Sequence, residues 1–566
     1  AEGYHGFTVG EEKRFTINAS DEDAGDALTF AAENLPADAI LNAATGEFVW
    51  TPGPGQIGDH VVTLLVSDGK ATTRKTILLR ALIEPVKPTA RIELTPGFAT
   101  VPGTPVLVTV QAASLSDITS VSLTLNGVAQ TLGANNRATI TAPAPGKYTL
   151  VATVRDADGG ETTVTRILKV RDPLDQSAPL VSLAGNLANA LVDGAIDLSG
   201  AITDANLDDW TLELVPTGGE AILLARGDSP TSGVLAALDA RTQPDGFYTL
   251  RLRATDISGR SSVASAAIEL RSGASKTGRF VTTATDYAGT IGGVPFELVR
   301  RYDSQTGQWR YLGLDVDLQS SVGARLGADG APPAFETGTR VYLTLPTGER
   351  AGFTFAPVAQ TINGQTFYRP AFVADGNHGY VLTSADMQLR QVGAGFYSVE
   401  TGIAYNPAAS VVGDRDYRLT APDGTAYAID STRGTVAIET AAGTLLVGDN
   451  GVVAAGGQSL AFVRDQSGNI ARVTASDGAT VVLEHDAAGR VLVARDLATG
   501  AGWRYAYDAQ GRMILELPSA GVGRSIAYGA DNAVTQSPVT GNLAVASSFT
   551  GQSISGTLGT QGEASY

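Results

Sequence analysis

The sequence predicts an all-β chain in which three tandem β-sandwiches precede a sheet built from repeated β-hairpins. Apolar and polar residues alternate over short runs that Gly, Pro and Asp interrupt, which is the pattern of strands with one buried face. No amphipathic run is longer than a few helical turns. A short phrase recurs every 21 or 22 residues near the C-terminal end. That period is too short for a domain and fits one hairpin of two strands.

The first predicted sandwich covers residues 1–84. Its signatures are an acidic cluster (DEDAGDALTF), a proline-containing loop leading to a hairpin (NLPADAILNAATGEFVWTP) and a final VSDG turn. Alternating apolar residues between Gly, Pro and Asp turns are typical of antiparallel sandwiches. The order of these signatures resembles the cadherin-like immunoglobulin-fold domains of bacterial surface proteins.

The second and third predicted sandwiches cover residues 85–172 and 173–273. Each ends in a strand pair that turns on Asp and Gly, VRDADGGETTV and RATDISGRSSV, and these closing pairs look like the ends of bacterial Ig-like domains. The linker Glu84–Pro88 is bounded by proline and is expected to be stiff, because proline fixes its own φ and extends its neighbour. Ser272–Gly278, SGASKTG, is polar and glycine-containing and predicts a flexible joint.

The recurring phrase appears as RDQSGNI, HDAAGRV, YDAQGRM and YGADNAV, starting at residues 464, 485, 507 and 528. An aspartate that bonds the backbone and a glycine three positions later are typical of a tight hairpin turn. We therefore expect Gly489 and Gly511 to have positive φ. We also expect Leu483 and Tyr505 to be buried on the same face of one continuous sheet, because one hairpin cannot bury its own apolar face.

YDAQGRM and HDAAGRV resemble the YD repeat of RHS proteins, and GGVPFELVRRYDSQTG resembles the segment that opens the repeat region in very large secreted proteins of this type. The resemblance covers residues 276–538 and implies a β-sheet shell or part of one, within a repeat region at 274–538. The sequence lacks the Asp- and Gly-rich self-cleavage motif that closes RHS toxin shells, so we expect a partial shell. Residues 539–566 are predicted to be a linker or the start of a further β domain.

Composition narrows the class of function. The chain has 566 residues, which favours about three to five domains. It has no cysteine, which excludes disulfides and thiol catalysis. A net charge of −18 disfavours nucleic acid and anionic lipid as partners, and no apolar run is long enough to span a membrane. Because the chain starts at Ala1 while its repeats continue near its end, we interpret it as an internal piece of a longer extracellular protein.

The residues that usually carry catalysis form no constellation in the sequence. The four histidines, His5, His60, His378 and His485, are far apart and make no HExxH pattern. No GxSxG elbow or phosphate-binding loop appears. His485 occupies the slot that tyrosine fills in the next two phrases, so we interpret it as a packing residue. The sequence predicts that the chain is not an enzyme.

One acidic constellation predicts a metal site. Asp21, Asp23 and Asp26 lie within six residues, and Asp68 lies in the VSDG turn. Calcium takes six to eight oxygen ligands, which short acidic loops can supply. The cadherin-like resemblance implies calcium binding by these four residues, with Glu22 facing solvent. A solvated acidic loop is the alternative. Asp175 resembles a linker aspartate that clamps calcium between tandem bacterial Ig domains, whereas DADGG at 156–160 is interpreted as a turn alone.

These observations favour a structural or adhesive segment of a large bacterial surface or secreted protein, in which a β-rich stalk carries an RHS-like module. Its expected partners are other domains of the same chain and a cell-surface protein or glycan. A toxin-delivery shell whose toxic domain lies farther along the chain is the alternative. A polysaccharide-acting enzyme would need a catalytic domain that the sequence does not reveal.

Overall fold

The computed structural model describes residues 4–21, 27–84, 86–273, 276–323, 331–409, 416–529 and 533–540. Its elements are almost all β-strands, which confirms the predicted all-β class. Five short 3₁₀ helices occur among the described residues, at Pro54–Gln56, Ala134–Asn136, Gly185–Leu187, Ala240–Thr242 and Pro407–Ala409. In the same part of the chain, no helix is both long and apolar enough to cross a membrane. Most of the predicted terminal segment 539–566 lies outside the described residues.

The first sandwich contains two sheets that face one apolar core. One sheet has the strand order β1-β7-β6-β3 with β1 parallel to β7, and the other has the order β2-β5-β4. The run EFVW forms β5, where Phe48 and Trp50 alternate with less buried residues and fill the core. The strands are β1 Tyr4–Thr8, β2 Lys13–Thr16, β3 Thr29–Glu33, β4 Ile40–Leu41, β5 Glu47–Trp50, β6 Gly58–Ser67 and β7 Thr72–Leu82.

The second sandwich is antiparallel within each of its two sheets. Their orders are β11-β10-β13-β14 and β12-β9-β8. Val106, Val108 and Val110 alternate along β9 and are all buried in its core. The strands are β8 Thr89–Thr95, β9 Pro105–Ala113, β10 Ile118–Leu125, β11 Val128–Gln130, β12 Arg137–Thr141, β13 Gly146–Asp156 and β14 Glu161–Val170.

The third sandwich pairs a sheet of order β15-β17-β20 with one of order β16-β22-β21-β18-β19. Trp210, Leu212 and Leu214 alternate along β18 and lie in its core. The strands are β15 Leu180–Leu183, β16 Ala190–Val192, β17 Ala195–Thr203, β18 Leu207–Pro216, β19 Ile222–Gly227, β20 Thr231–Asp239, β21 Gly246–Asp256 and β22 Ser261–Leu270.

Three smaller sheets follow, of orders β23-β24-β25, β26-β27-β28-β31 and β29-β30-β33-β34. The second and third of these sheets share one core with the first strands of the 14-stranded sheet described next. Phe353, Phe355 and Phe396 fill this core. The strands are β23 Val281–Ile291, β24 Val294–Asp303, β25 Gln308–Tyr311, β26 Gln319–Ser320, β27 Arg340–Thr344, β28 Arg350–Phe355, β29 Val358–Ile362, β30 Gln365–Arg369, β31 Phe372–Ala374, β32 Val381–Ser384, β33 Leu389–Val392 and β34 Gly395–Ser398.

The repeated hairpins form one 14-stranded antiparallel sheet in which β32 is followed by β35 to β47 in chain order. Its last strand ends at residue 540, two residues beyond the predicted repeat boundary. The remaining strands are β35 Tyr417–Thr420, β36 Ala426–Asp430, β37 Gly434–Thr440, β38 Gly443–Gly448, β39 Gly451–Ala454, β40 Ser459–Arg464, β41 Ile470–Ala475, β42 Thr480–His485, β43 Val491–Asp496, β44 Gly502–Tyr507, β45 Met513–Pro518, β46 Val522–Tyr528 and β47 Val534–Thr540.

The predicted register of this sheet is confirmed. Gly489 and Gly511 have φ of 77° and 81° and lie in the turns β42–β43 and β44–β45. Leu483 pairs with Ala494, which pairs with Trp503 on β44. Paired residues share a face, and so do residues two apart on a strand. Leu483 and Tyr505 therefore lie on one face, where both are buried in the same core.

Each tyrosine of the phrase also contacts the preceding repeat. The Tyr507 hydroxyl donates to the Val491 carbonyl oxygen at 2.6 Å, and the Tyr528 hydroxyl donates to that of Met513 at 2.9 Å. The guanidinium of the preceding phrase lies over each ring, with Arg490 4.8 Å from the centroid of Tyr507. Successive hairpins are thus coupled at the turn end of the sheet as well as along the strands.

The sheet β23-β24-β25 covers the apolar face of the hairpin repeats. Leu298 and Tyr302 of β24 join Leu483, Tyr505 and Met513 of the repeats in one core. The Tyr302 hydroxyl accepts from the Met513 N–H at 2.8 Å and donates to the Gly511 carbonyl at 3.0 Å. The described part of this face therefore packs against the chain's own preceding segment.

Candidate functional site at the module junctions

The four residues predicted to bind calcium are only partly described. Asp23 and Asp26 lie outside the described residues. Asp21 follows β2 and is exposed. The Asp68 carboxylate accepts from the N–H groups of Ala71 and Lys70 at 2.6 and 2.7 Å, and these hydrogen bonds lower its pKa. Asp68 thus closes the β6–β7 turn, and calcium binding by this set stays a prediction.

A different group of carboxylates converges at the junction between the second and third sandwiches. One carboxylate oxygen from each of Asp175, Asp204 and Asp256 lies within 4.8 Å of the others. Asp175 belongs to the linker after β14, Asp204 follows β17, and Asp256 ends β21. The sequence predicted a calcium contact for Asp175 and none for Asp204 or Asp256. One sequence signal marks Asp256, which begins a D-x-x-G turn like those of the repeats.

A guanidinium already occupies this carboxylate group. Arg260 Nε donates to Asp256 Oδ2 at 2.6 Å, and its Nη1 donates to the Asp175 carbonyl oxygen at 2.7 Å. Its Nη2 lies 3.2 Å from Asp175 Oδ2. Arg260 is thus paired with two of the three carboxylates. A calcium ion shared by all three would have to displace the guanidinium or bind beside its positive charge.

Asp204 is the third carboxylate of the group. The described hydrogen bonds of the Arg260 guanidinium go to Asp256 and Asp175. Its carboxylate accepts from the Asn206 N–H at 2.7 Å. Burial raises the pKa of Asp204, and the nearby carboxylates of Asp175 and Asp256 raise it further. The Asn206 side chain accepts from the Asp172 N–H of the linker at 3.0 Å. The linker is thus bound to the third sandwich at more than one point.

The first junction, between the first and second sandwiches, centres on Asp158 in the β13–β14 turn. Its carboxylate accepts from the Gly6 N–H at 3.1 Å and pairs with the Lys13 ammonium of the first sandwich. Lys13 also donates to the Gly6 carbonyl oxygen at 2.8 Å. The turn that was interpreted as a turn alone therefore also contacts the neighbouring module, and its carboxylate is largely buried there.

The second junction has a further set of contacts between β13–β14 and the third sandwich. Lys147 donates to the carbonyl oxygen of Asp208 at 2.8 Å and also to that of Asp228. Lys169 pairs with the Asp208 carboxylate. Two ammonium groups of the second module thus bind acidic residues of the third. These contacts lie beside the linker and restrict rotation about it.

The third junction, between the third sandwich and the repeat region, is bound at the described residues of the predicted flexible joint, whose residues 274 and 275 lie outside the described part of the chain. The Asp245 carboxylate accepts from the N–H groups of Ser272 and Gly273, both at 2.9 Å, and pairs with Lys276 at 2.6 Å. Both charged side chains are buried, and burial lowers the pKa of Lys276. Polar residues next to glycine predicted flexibility, because the sequence did not reveal that a buried carboxylate in the β20–β21 loop binds them.

Other contacts at the third junction are made by β27. The Tyr342 hydroxyl and the Arg340 Nε both donate to Glu269 of the third sandwich, at 2.7 and 3.2 Å. The Tyr342 ring packs edge-on against Phe247 with centroids 5.4 Å apart. A cavity of about 70 Å³ at this junction is lined by charged side chains that include Arg279, Arg301 and Glu349. Arg279 and Arg301 both pair with Glu349 and with Asp303, so two carboxylates of the cavity wall match these two guanidinium groups.

A family model matches the first sandwich. Residues 2–80 match a family model described as "Putative Ig domain". No match was found among curated protein sequences.

Several solved structures resemble parts of the chain. They include fibronectin(III)-like modules of Clostridium thermocellum CbhA, at 16% identity over 32% of this chain and 94% of that chain, with a TM-score of 0.18. Extracellular cadherin domains 3–6 of Protocadherin Gamma B2 match at 14% identity over 66% of this chain and 95% of that chain, with a TM-score of 0.16. The endo-fucoidan hydrolase MfFcnA4 of glycoside hydrolase family 107 matches at 13% identity over 47% and 42%, with a TM-score of 0.19. Likeness at this level carries no argument about activity.

Proposed function

We propose that this chain is a non-catalytic structural and adhesive segment of a large, extracellular RHS-repeat protein, in which three sandwiches form a stalk that carries the repeat sheet. The observation that carries the proposal is the set of contacts at the three junctions. At the first and third junctions a largely buried carboxylate binds a cation of the neighbouring module and a backbone N–H group. At the second junction Lys169 of the second sandwich pairs with Asp208 of the third, and Arg260 binds the linker. Such contacts hold neighbouring modules at fixed angles, as a stalk requires.

The covered face of the repeat sheet supports the structural role over a toxin-delivery shell. A shell needs its inner face free for cargo. The apolar face of the described hairpins instead packs on β23 and β24, through residues such as Phe296 and Leu298. The negative charge of the chain also disfavours nucleic acid as a partner. We therefore propose other segments of the same protein, and a cell-surface protein or glycan, as partners.

The shape of the fragment in solution tests this function. A compact globule of 566 residues would have a radius of gyration of about 25 Å. We expect small-angle scattering to give a clearly larger value, and negative-stain images to show elongated particles, both in calcium and in chelator. A compact particle under both conditions would contradict the stalk.

A variant tests whether the junctions set the shape. Asp158→Asn removes the charge that binds Lys13, so we expect more varied bend angles at the first junction in the images. Asp193→Asn, at an exposed position between β16 and β17, is the matched control and should leave the bend angles unchanged. Equal bend distributions for both variants would show that Asp158 does not fix the junction.

A further inference from the structure

We infer that Arg260 is a structural cation of the second junction: it ties the linker at Asp175 to the Asp256 turn of the third sandwich and, together with the Lys147 and Lys169 contacts, fixes the angle between the second and third sandwiches without a divalent ion. Three carboxylates gather at this junction as they would in a calcium site, yet a guanidinium of the same chain is paired with two of them.

The Asp256–Arg260 turn itself orients the Arg260 guanidinium. In the third sandwich the Arg260 N–H and Nε both bind the Asp256 carboxylate, at 2.8 and 2.6 Å. The repeat turns have the same arrangement, with the Arg512 N–H and Nε bound to Asp508 at 2.8 and 2.9 Å. A D-x-x-G-R turn therefore presents its two Nη groups in a set direction, whatever lies beyond them.

The Nη groups of the turn arginine contact different partners in the repeats and at the junction. In the repeats, the Arg512 guanidinium lies over the ring of Tyr528, 4.4 Å from its centroid. In the third sandwich no described ring lies under Arg260. Its Nη1 donates to the Asp175 carbonyl oxygen, and its Nη2 lies 3.2 Å from the Asp175 carboxylate as an ion pair without a hydrogen bond. The same turn thus couples hairpins in the sheet and couples two modules at the junction.

The carboxylates that face Arg260 are buried or nearly so. The Asp256 side chain is fully buried and that of Asp175 is 11% exposed. A carboxylate in such a position needs a cation close by, because desolvation disfavours its charged form. Arg260 supplies that charge with the planar geometry that two acceptors on different chain segments require. A lysine could reach one of them but could not hold both at fixed angles.

Removing the guanidinium should convert the junction into one that responds to calcium. Three carboxylate oxygens would then lie within 4.8 Å with no cation between them, which is the condition under which carboxylates gather a divalent ion. The first and third junctions keep their own lysine and arginine contacts and should not respond. A response at the second junction alone would therefore distinguish a local calcium site from a general effect of calcium on the chain.

The experiment measures the distance between two spin labels across the second junction in the full chain. Because the chain has no cysteine, Val128→Cys and Leu223→Cys place single labels at exposed positions in the second and third sandwiches. We expect one narrow distance distribution that is the same in calcium and in chelator. A distribution that is broad in chelator and narrow in calcium would show that a metal fixes the junction and would overturn the inference.

Two variants complete the test. Arg260→Ser should lose the narrow peak in chelator and regain it in millimolar calcium. Asp175→Asn should lose the narrow peak in both, and it leaves the Asp256–Arg260 turn intact, so misfolding of the third sandwich cannot explain the loss. Arg253→Gln, an exposed arginine on β21, is the matched control and should behave as the unmodified chain. A narrow peak for both Arg260→Ser and Asp175→Asn in chelator would refute the role of Arg260.

Discussion

In the hairpin turns, one aspartate carboxylate serves three donors. Asp508 accepts from the N–H groups of Gln510 and Arg512 with one oxygen and from Arg512 Nε with the other. Asp486 repeats this pattern with Arg490 and Ala488. The turn residues could be predicted from sequence because these bonds are local. The stacking of each arginine on the next tyrosine could not, since it depends on which hairpins are neighbours.

The glycine of the turn gives a prediction at this scale. Gly511 has φ of 81°, where a β-branched residue is strained. We expect Gly511→Val to lower the free energy of unfolding of the repeat region by about 1–3 kcal/mol, measured by urea denaturation. Gly511→Asn should cost much less, because asparagine tolerates this conformation. Equal losses for the two variants would show that crowding against Arg490, and not backbone strain, sets the cost.

At the scale of elements, the sequence predicted the hairpins but not the sheet that covers them. Strand alternation and turn chemistry are local signals, and they sufficed for the sandwiches and for the register of Leu483 and Tyr505. That β24 crosses the repeat face depends on contacts about 200 residues apart, such as Arg300 with Tyr505. A charged residue in an apolar run also predicts a solvent-facing position, yet Arg300 is 1% exposed.

The ion pair of β24 with β23 gives a prediction at this scale. Arg300 Nε donates to Asp286 at 2.9 Å, and the Tyr311 hydroxyl donates to the same carboxylate at 2.9 Å. Burial opposes the charge of Arg300, but Asp286 and the tyrosines raise its pKa overall. We expect Arg300→Met to cost about 3–5 kcal/mol, because it leaves Asp286 buried without its cation.

A double variant distinguishes the lost ion pair from lost packing. Arg300→Met with Asp286→Leu removes both charges and should recover part of the stability, since no uncompensated buried charge remains. Calorimetric melting of the full chain measures both variants against the unmodified protein. The loss that remains in the double variant measures the packing of the guanidinium against Trp309, 4.6 Å from the ring centroid. If the double variant is less stable than Arg300→Met alone, the hydrogen bond that Asp286 accepts from Tyr311 outweighs the cost of the unpaired charge.

At the scale of the whole molecule, charge is distributed unevenly between surface and junctions. The chain carries a net charge of −18, yet the junction carboxylates are paired with Lys13, Arg260 and Lys276. Exposed acidic groups are screened by salt, whereas buried pairs are screened much less. The angles between modules should therefore be insensitive to ionic strength even though the surface is not. Sequence alone could not reveal this, because the paired residues lie 31 to 145 positions apart in the chain.

Calcium remains a prediction for the end of the first sandwich that lies away from the second. The β6–β7 turn that holds Asp68 is at the opposite end of β7 from Leu82, where the linker begins. Bound calcium there would stabilise the first sandwich without fixing a junction. In a calcium site formed by Asp21, Asp23, Asp26 and Asp68, the carboxylates would repel one another without a cation, so we expect the metal-free module to be less stable than its core allows.

This predicts a calcium-dependent melting temperature for the isolated first sandwich, residues 1–84, which has its own apolar core. Binding to the folded state adds RT ln(1 + [Ca²⁺]/Kd), about 2.7 kcal/mol at a hundred times Kd. Each kcal/mol should raise the melting temperature by roughly 4–8 °C in a domain of this size. Asp23→Ala should remove most of that rise, whereas Glu11→Gln, an exposed acidic residue before β2, should keep it. Melting curves that millimolar calcium does not move would show that the acidic loop is a solvated turn.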